Sequence, residues 1–243
     1  MDIATIILLV VASIGASVVQ RVSGFGFGIF IMTMLPFIMP SYGEATALSG
    51  ILAALQSLMV VVAMWRFVSA KRLLPILFAF LITSYIAIQY VETIDEHLLK
   101  RIFGVVLVAL SIYFFCISDK VSVRPYISIQ LILGSLSGIM GGLFAMQGPP
   151  AVLYFVASER DKEHYIAITQ AYFLIGNLFM TLYRYKVGFV TELVGYGVIY
   201  ALAGVVLGSF LGKYLFDRIS THLLRKVVYA FMALSGLYAI CVG

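Results

Sequence analysis

Charge is what this sequence has least of. Its 16 Lys+Arg and 11 Asp+Glu make up 11% of 243 residues, against about 25% in soluble globular domains. With 63% hydrophobic residues and a mean hydropathy of +1.08, the chain has no means of keeping a water-compatible surface, and the solvent it must match is lipid. Cysteine is nearly absent. Cys116 and Cys241 lie in apolar runs at no metal-ligand spacing, so neither a disulfide nor a metal site is expected, and no cofactor is implied. No Asp or Glu sits well inside an apolar run. Glu44, Glu92, Glu159 and Glu192 all lie near ends, which leaves a carboxylate proton relay unsupported. His97, His164 and His222 are terminal too and read as interfacial. There is no HExxH, GxSxG or P-loop motif, so nothing points to an enzyme. Met1-Asp2-Ile3 lacks a positive n-region, so the first apolar segment is expected to stay in the mature protein.

What the sequence does have is long uncharged stretches. Six fit a single membrane span each: 45–65, 73–91, 102–118, 165–183, 193–212 and 227–243, since a spanning helix takes roughly 17–25 residues. Two regions are too long for one helix. Residues 3–43 are broken only by Arg21, and 125–158 by no charge at all. Each holds helix breakers in its middle: Gly24-Phe25-Gly26-Phe27-Gly28 in the first, Gly141-Gly142 and then Gln147-Gly148-Pro149-Pro150 in the second. Non-helical backbone at membrane depth survives only where protein or a wet cavity covers it.

The order repeats. Each half has one interrupted segment and then three clean spans, and His97-Leu98-Leu99-Lys100-Arg101 is echoed by His222-Leu223-Leu224-Arg225-Lys226. Trp65-Arg66-Phe67 is echoed by Tyr183-Arg184-Tyr185. No polar linker divides the chain, so residues 1–243 read as a single transmembrane domain of two repeats, about 3–118 and about 125–243.

The net charge of +5 lies in short loops and reports topology rather than a nucleic-acid surface. If each interrupted segment crossed the membrane once, the basic residues would divide almost evenly between the faces. If each is a re-entrant hairpin, one face collects Arg66, Lys71, Arg72, Lys120, Arg124, Arg160, Lys162, Lys213, Arg218, Arg225 and Lys226. The other keeps only Lys100, Arg101, Arg184 and Lys186, with Arg21 in the membrane. The positive-inside rule prefers the second arrangement. The expectation is an all-α polytopic membrane protein of two inverted repeats, each a re-entrant helical hairpin plus three transmembrane helices, with both termini on the non-cytoplasmic side of the inner membrane.

Hairpins entering from opposite faces bring their tips to the midplane. The second arm of each starts a helix there, near Gly26 to Gly28 and at Pro149-Pro150. Two helix N-termini converging offer free N–H groups and positive dipole ends to an anion. The tips are thus the candidate substrate site: Gln20, Arg21, Ser23, Gly24, Phe25, Gly26 and Gly28 from the first, Met146, Gln147, Gly148, Pro149 and Pro150 from the second. Placing Arg21 centrally costs roughly 2.5–3.5 kcal/mol on insertion scales. Either it contacts an oxyanion, which its planar fork suits, or it pairs with backbone carbonyls or snorkels. Gln56, Ser57 and Asn177 are polar positions inside spans that either line the pathway or join helices. Gly134, Gly138, Gly142 and Gly204, Gly208, Gly212, at four-residue spacing, read as packing surfaces.

The glycine-rich break at Gly24 to Gly28 recurs as Gly141-Gly142-Leu143-Phe144-Ala145-Met146-Gln147-Gly148-Pro149-Pro150. With the surrounding eight-segment hydropathy this resembles the TauE/SafE family of sulfite exporters over essentially the whole chain. The resemblance implies transport of a sulfur-containing anion such as sulfite, thiosulfate or an organosulfonate, in a bacterial or archaeal plasma membrane, with the two interrupted segments carrying the pathway. An anion channel of other selectivity and a non-transporting membrane scaffold are the alternatives. The implied partners are a small anion and the lipid bilayer. Assembly with further copies stays open, because packing glycines serve an intrachain or an interchain interface equally well.

Overall fold

The computed structural model describes residues 2–91, 93–116, 126–159, 161–216 and 221–242, leaving aside the side chains of 216, 221–225 and 227. The charges expected in loops at Lys120, Arg124, Arg160 and Arg218, Glu92, and the inner repeat boundaries near 118 and 125 lie outside the described residues.

Every described element is helical. The first half comprises α1 (Ile3–Ser23), α2 (Phe27–Met32), α3 (Leu35–Ile38), α4 (Tyr42–Met64), α5 (Ala70–Val91) and α6 (Glu96–Cys116). The second comprises α7 (Ile127–Phe144), α8 (Gly148–Ser158), α9 (Lys162–Lys186), α10 (Glu192–Phe216) and α11 (Thr221–Val242). Seven of them, α1, α4, α5, α6, α7, α9 and α10, are long and apolar enough to cross a membrane.

Local chemistry sets the boundaries. Asp2 caps α1 by accepting the Thr5 N–H at 3.0 Å, and Ser41 caps α4 by accepting the Glu44 N–H at 3.2 Å. α1 stops on Gly24 at φ +84°, a left-handed conformation that glycine takes without a Cβ penalty. α7 stops on Ala145, also left-handed at φ +56°, where a non-glycine residue is strained. α8 then starts on Gly148 with Pro149 and Pro150 in its first turn, where their missing N–H groups cost nothing. Both breaks are three residues long, Gly24 to Gly26 and Ala145 to Gln147.

The expected break at Gly141-Gly142 does not form there. α7 runs through both glycines to Phe144, because they lie where α5 crosses. A Cβ on Gly142 would meet Ala87 Cβ at 2.6 Å and the Ser84 carbonyl at 2.8 Å. The helix after the first break is likewise not continuous: α2 ends at Met32 and the chain restarts as α3, with Pro36 in its first turn.

Two close pairings hold the bundle. α10 lies on α1, where Cβ atoms on Gly204 and Gly208 would each sit 2.5 Å from a carbonyl, of Val10 and Ile14 respectively. α7 lies on α5, where Cβ atoms on Gly134 and Gly138 would each sit 2.6 Å from a carbonyl, of Ile76 and Phe80. In both pairs the numbering advances in the same sense, so the partners run parallel, and both glycine series are packing surfaces. α4 and α9 run antiparallel, with Gly50 against Thr181 and Gly43 against Phe189, just past the end of α9. α6 and α11 are antiparallel as well: Gly104 meets Gly236, and Ser111 Oγ donates to the Tyr229 carbonyl at 2.7 Å. α1 runs parallel to α4, since Leu9 lies with Leu48 against Gly197 and Gln20 bonds Ser57. The chain therefore reverses between α1 and α4. The base of α8 is fastened by Arg72 Nη1 to Glu159 Oε2 at 2.6 Å.

Candidate functional site

The two breaks touch. A Cβ on Gly28 would collide with the Ala145 carbonyl oxygen, so glycine is what allows the first turn of α2 to lie against the second break. A narrow cleft of about 20 Å³ runs between them, lined by Gly26, Gly28, Met146, Gln147 and Gly148, with Gln20 and Asn177 at its walls. Gln147 Nε2 donates to the Phe173 carbonyl at 3.3 Å, while its Oε1 has no hydrogen-bond partner among the described residues. Its backbone is held by Ser137, whose hydroxyl donates to the Gln147 carbonyl and accepts from Tyr172 at 2.8 Å.

Beside the cleft, at the end of α1, lies a cavity of about 420 Å³. Gln20, Arg21, Ser23, Gly24 and Gln56 line it, together with Lys162, Tyr165 and Gln170 of α9 and Lys213 of α10. Among the described residues, three cations and no carboxylate line this space, and a low-dielectric wall focuses such a field on an entering anion. Gly212 packs on Cβ and Cγ of Arg21, which directs the half-buried guanidinium. Gln20 belongs to both spaces. Its Nε2 donates to Gln170 Oε1 at 2.9 Å and to Ser57 Oγ at 3.3 Å, and Gln170 Nε2 donates to the Gly24 carbonyl at 2.8 Å. This relay ties the first break to α4 and α9. Gln56 is fully buried, yet neither its Oε1 nor its Nε2 has a partner among the described residues, which costs about 1–3 kcal/mol per group if left so.

The model of the sulfite exporter TauE/SafE family matches residues 9–239. The chain belongs to this family. Membership of TauE/SafE, with seven helices apolar and long enough to cross a membrane, makes it a multi-pass membrane protein and points to sulfur-anion transport. No curated protein and no solved structure matches the chain.

In this TauE/SafE chain the residues singled out from sequence do not all converge. Gln20, Gly26, Gly28, Met146, Gln147, Gly148 and Asn177 meet at the cleft, and Gln20, Arg21, Ser23, Gly24 and Gln56 at the cavity. The Ser23 hydroxyl also lies 2.6 Å from each of the Val19 and Phe25 carbonyls. Phe25 lines neither space: its side chain packs beside Gly148, with its ring 5.6 Å from that of Phe114 in an apolar pocket against α11. Pro149 and Pro150 are buried and shape the start of α8 without lining either space. Ser57 is engaged by Gln20.

Four residues escaped the sequence reading. Gln170 is a polar residue inside an apolar span, the same signal that marked Gln56 and Asn177. Lys162 and Lys213 were legible only as loop charges. Arg184, counted with the loop after residue 183, lies inside α9 with no exposed surface, because the helix runs to Lys186 and the side chain turns inward. No group of three or more His, Cys, Asp or Glu suited to a metal ion occurs among the described residues.

Proposed function

We propose that the chain carries a small sulfur oxyanion or sulfonate across the plasma membrane, and that the anion passes where the two broken helices meet. The observation that carries this reading is the contact of Gly28 with Ala145 beside a cavity lined by Arg21, Lys162 and Lys213 and, among the described residues, by no carboxylate. Arg21 and the two lysines draw the anion in. Gln20, Gln56, Gln147 and Gln170 supply hydrogen bonds at the breaks, and α8 adds the positive end of its dipole, Pro149 and Pro150 having no N–H to donate.

Two inverted repeats fit the packing. Corresponding helices of the two halves, α4 with α9 and α6 with α11, run antiparallel, as inversion requires. The pairing of α1 with α10 is matched by that of α7 with α5. The reversal of the chain between α1 and α4 fits a re-entrant hairpin. By the charge distribution the Arg21 cavity opens to the cytoplasm and both termini lie outside. Transport would then proceed by rocking one half against the other around the breaks.

The test is uptake of labelled sulfite by proteoliposomes holding the wild type, Arg21→Ala or Gln147→Ala. Saturable uptake that falls in both variants supports the site. Uptake unchanged in both removes the site assignment.

A further inference from the structure

Among the described residues, Arg184 is the one charged side chain with no exposed surface. Its Nη2 donates to the carbonyls of Gly141 at 2.9 Å and Gly142 at 3.0 Å, in the last turn of α7 before the break. Its Nε and Nη1 have no hydrogen-bond partner among the described residues, and no carboxylate there pairs with it. A guanidinium used only to staple α7 to α9 would account for Nη2 and leave two buried donors and a buried charge without compensation, which proteins avoid.

The surroundings are equally unfinished. The hydroxyls of Tyr42 and Thr181 are buried and without partners among the described residues. Thr181 lies one turn before Arg184 on α9. A Cβ on Gly50 would sit 3.4 Å from Thr181 Oγ1 and 3.3 Å from Arg184 Nη1, so these two groups flank one spot on α4. Tyr42 is within electrostatic reach of the guanidinium. The Thr181 hydroxyl flanks the free edge of the guanidinium fork and the Tyr42 hydroxyl lies within its electrostatic reach, and these donors match the acceptors of an oxyanion.

The position is also telling. Gly24 and Ala145, the two left-handed helix ends, are 121 residues apart, and so are Gln56 and Asn177. In that register Gln20, Arg21 and Val60 of the cationic cavity correspond to Gly141, Gly142 and Thr181. Arg184, one turn beyond Thr181, therefore falls beside the second half's counterpart of that cavity wall, against the last turn of α7 where Arg21 stands in the last turn of α1.

We propose that Arg184, with the hydroxyls of Tyr42 and Thr181, forms a second oxyanion-binding position, which takes the transported anion on the face opposite Arg21. This rests on the transport reading above. An arriving anion engages Nε and Nη1, the edge that the Gly141 and Gly142 carbonyls leave unused.

The test is sulfite uptake by the full chain in membrane vesicles of both orientations, with Arg184→Gln, Arg184→Lys, Thr181→Val and Tyr42→Phe. For Arg184→Gln, KM from the outer face should rise by about tenfold or more, as expected for loss of a charge-assisted hydrogen bond, with a smaller change from the inner face. The Lys variant, which keeps the charge without the fork, should fall between. Thr181→Val and Tyr42→Phe each remove one oxygen and should raise outer-face KM by about threefold or more, which keeps the inference testable if Arg184→Gln does not fold. Outer-face KM within about twofold of wild type in Thr181→Val, Tyr42→Phe and every folded Arg184 variant overturns the Arg184 position while leaving the transport reading intact. No sulfite uptake by the wild type in either orientation overturns both.

Discussion

Gly28 and Ala145 meet across the two helix breaks, with no room between them for a methyl group on Gly28. Gly28 lies in the first turn of α2, and Ala145 closes α7. Their contact joins the halves at the point where both helices are interrupted. A protein that needed only to pack eight apolar segments would gain nothing from breaking two of them at one place, because each break frees backbone groups that lipid cannot satisfy.

Gly28→Ala should therefore push the breaks apart. Sulfite uptake is expected to fall by about tenfold or more, the scale on which a misplacement near 1 Å acts at an organised site. Gly195→Ala in α10 is the control. A Cβ there meets nothing within 4 Å, and Ala has the better helix propensity by about 1 kcal/mol, so uptake and melting temperature should hold. Equal uptake in the two variants would show that the contact is dispensable.

Gln56→Leu separates a structural glutamine from one that meets the anion. Both amide atoms lack partners among the described residues, so replacing them with an apolar side chain of similar size should leave the melting temperature unchanged or raised. KM for sulfite should rise by about threefold or more if the amide serves the anion. A lower melting temperature with unchanged KM would make it helix glue.

The cations lining the cavity act through the field as well as by contact. Arg21→Ala should reduce the thermal stabilisation conferred by sulfite, which arises by mass action on the folded state. Adding an inert salt to the wild type should reproduce part of that loss, since about 0.15 M salt screens charges beyond about 8 Å. Sulfite stabilisation insensitive to both would place the anion elsewhere.

Gly208→Leu tests the packing reading. The Cβ alone would meet the Ile14 carbonyl at 2.5 Å, so α10 should lift from α1 and the melting temperature fall by several degrees. An unchanged melting temperature would contradict the close pairing.

Much of this was legible in the residues. The scarcity of charge and the length of the uncharged stretches gave helices in a membrane, and the glycine and proline clusters located both interruptions to within a few residues. Gly141-Gly142 misled because glycine serves tight crossing as readily as helix ending, and only the position of α5 decides between them. Arg184 was hidden by its place at the end of an uncharged run, where the same letter would serve a loop. Its direction depends on which face of α9 meets α7, a tertiary fact. Phe25 sits in the motif, yet its ring packs with Phe114 of α6 in an apolar pocket against α11, a tertiary contact that the motif does not carry.

Labelled sulfite uptake by proteoliposomes of the wild type and of the Arg21→Ala, Gln147→Ala double variant bears most directly on transport through the helix breaks. The wild type should show saturable uptake and counterflow against sulfite preloaded inside, as alternating access requires and an open channel would not give, and the folded double variant should lose most of it. Uptake by the double variant equal to that of the wild type, or none by the wild type, would contradict it.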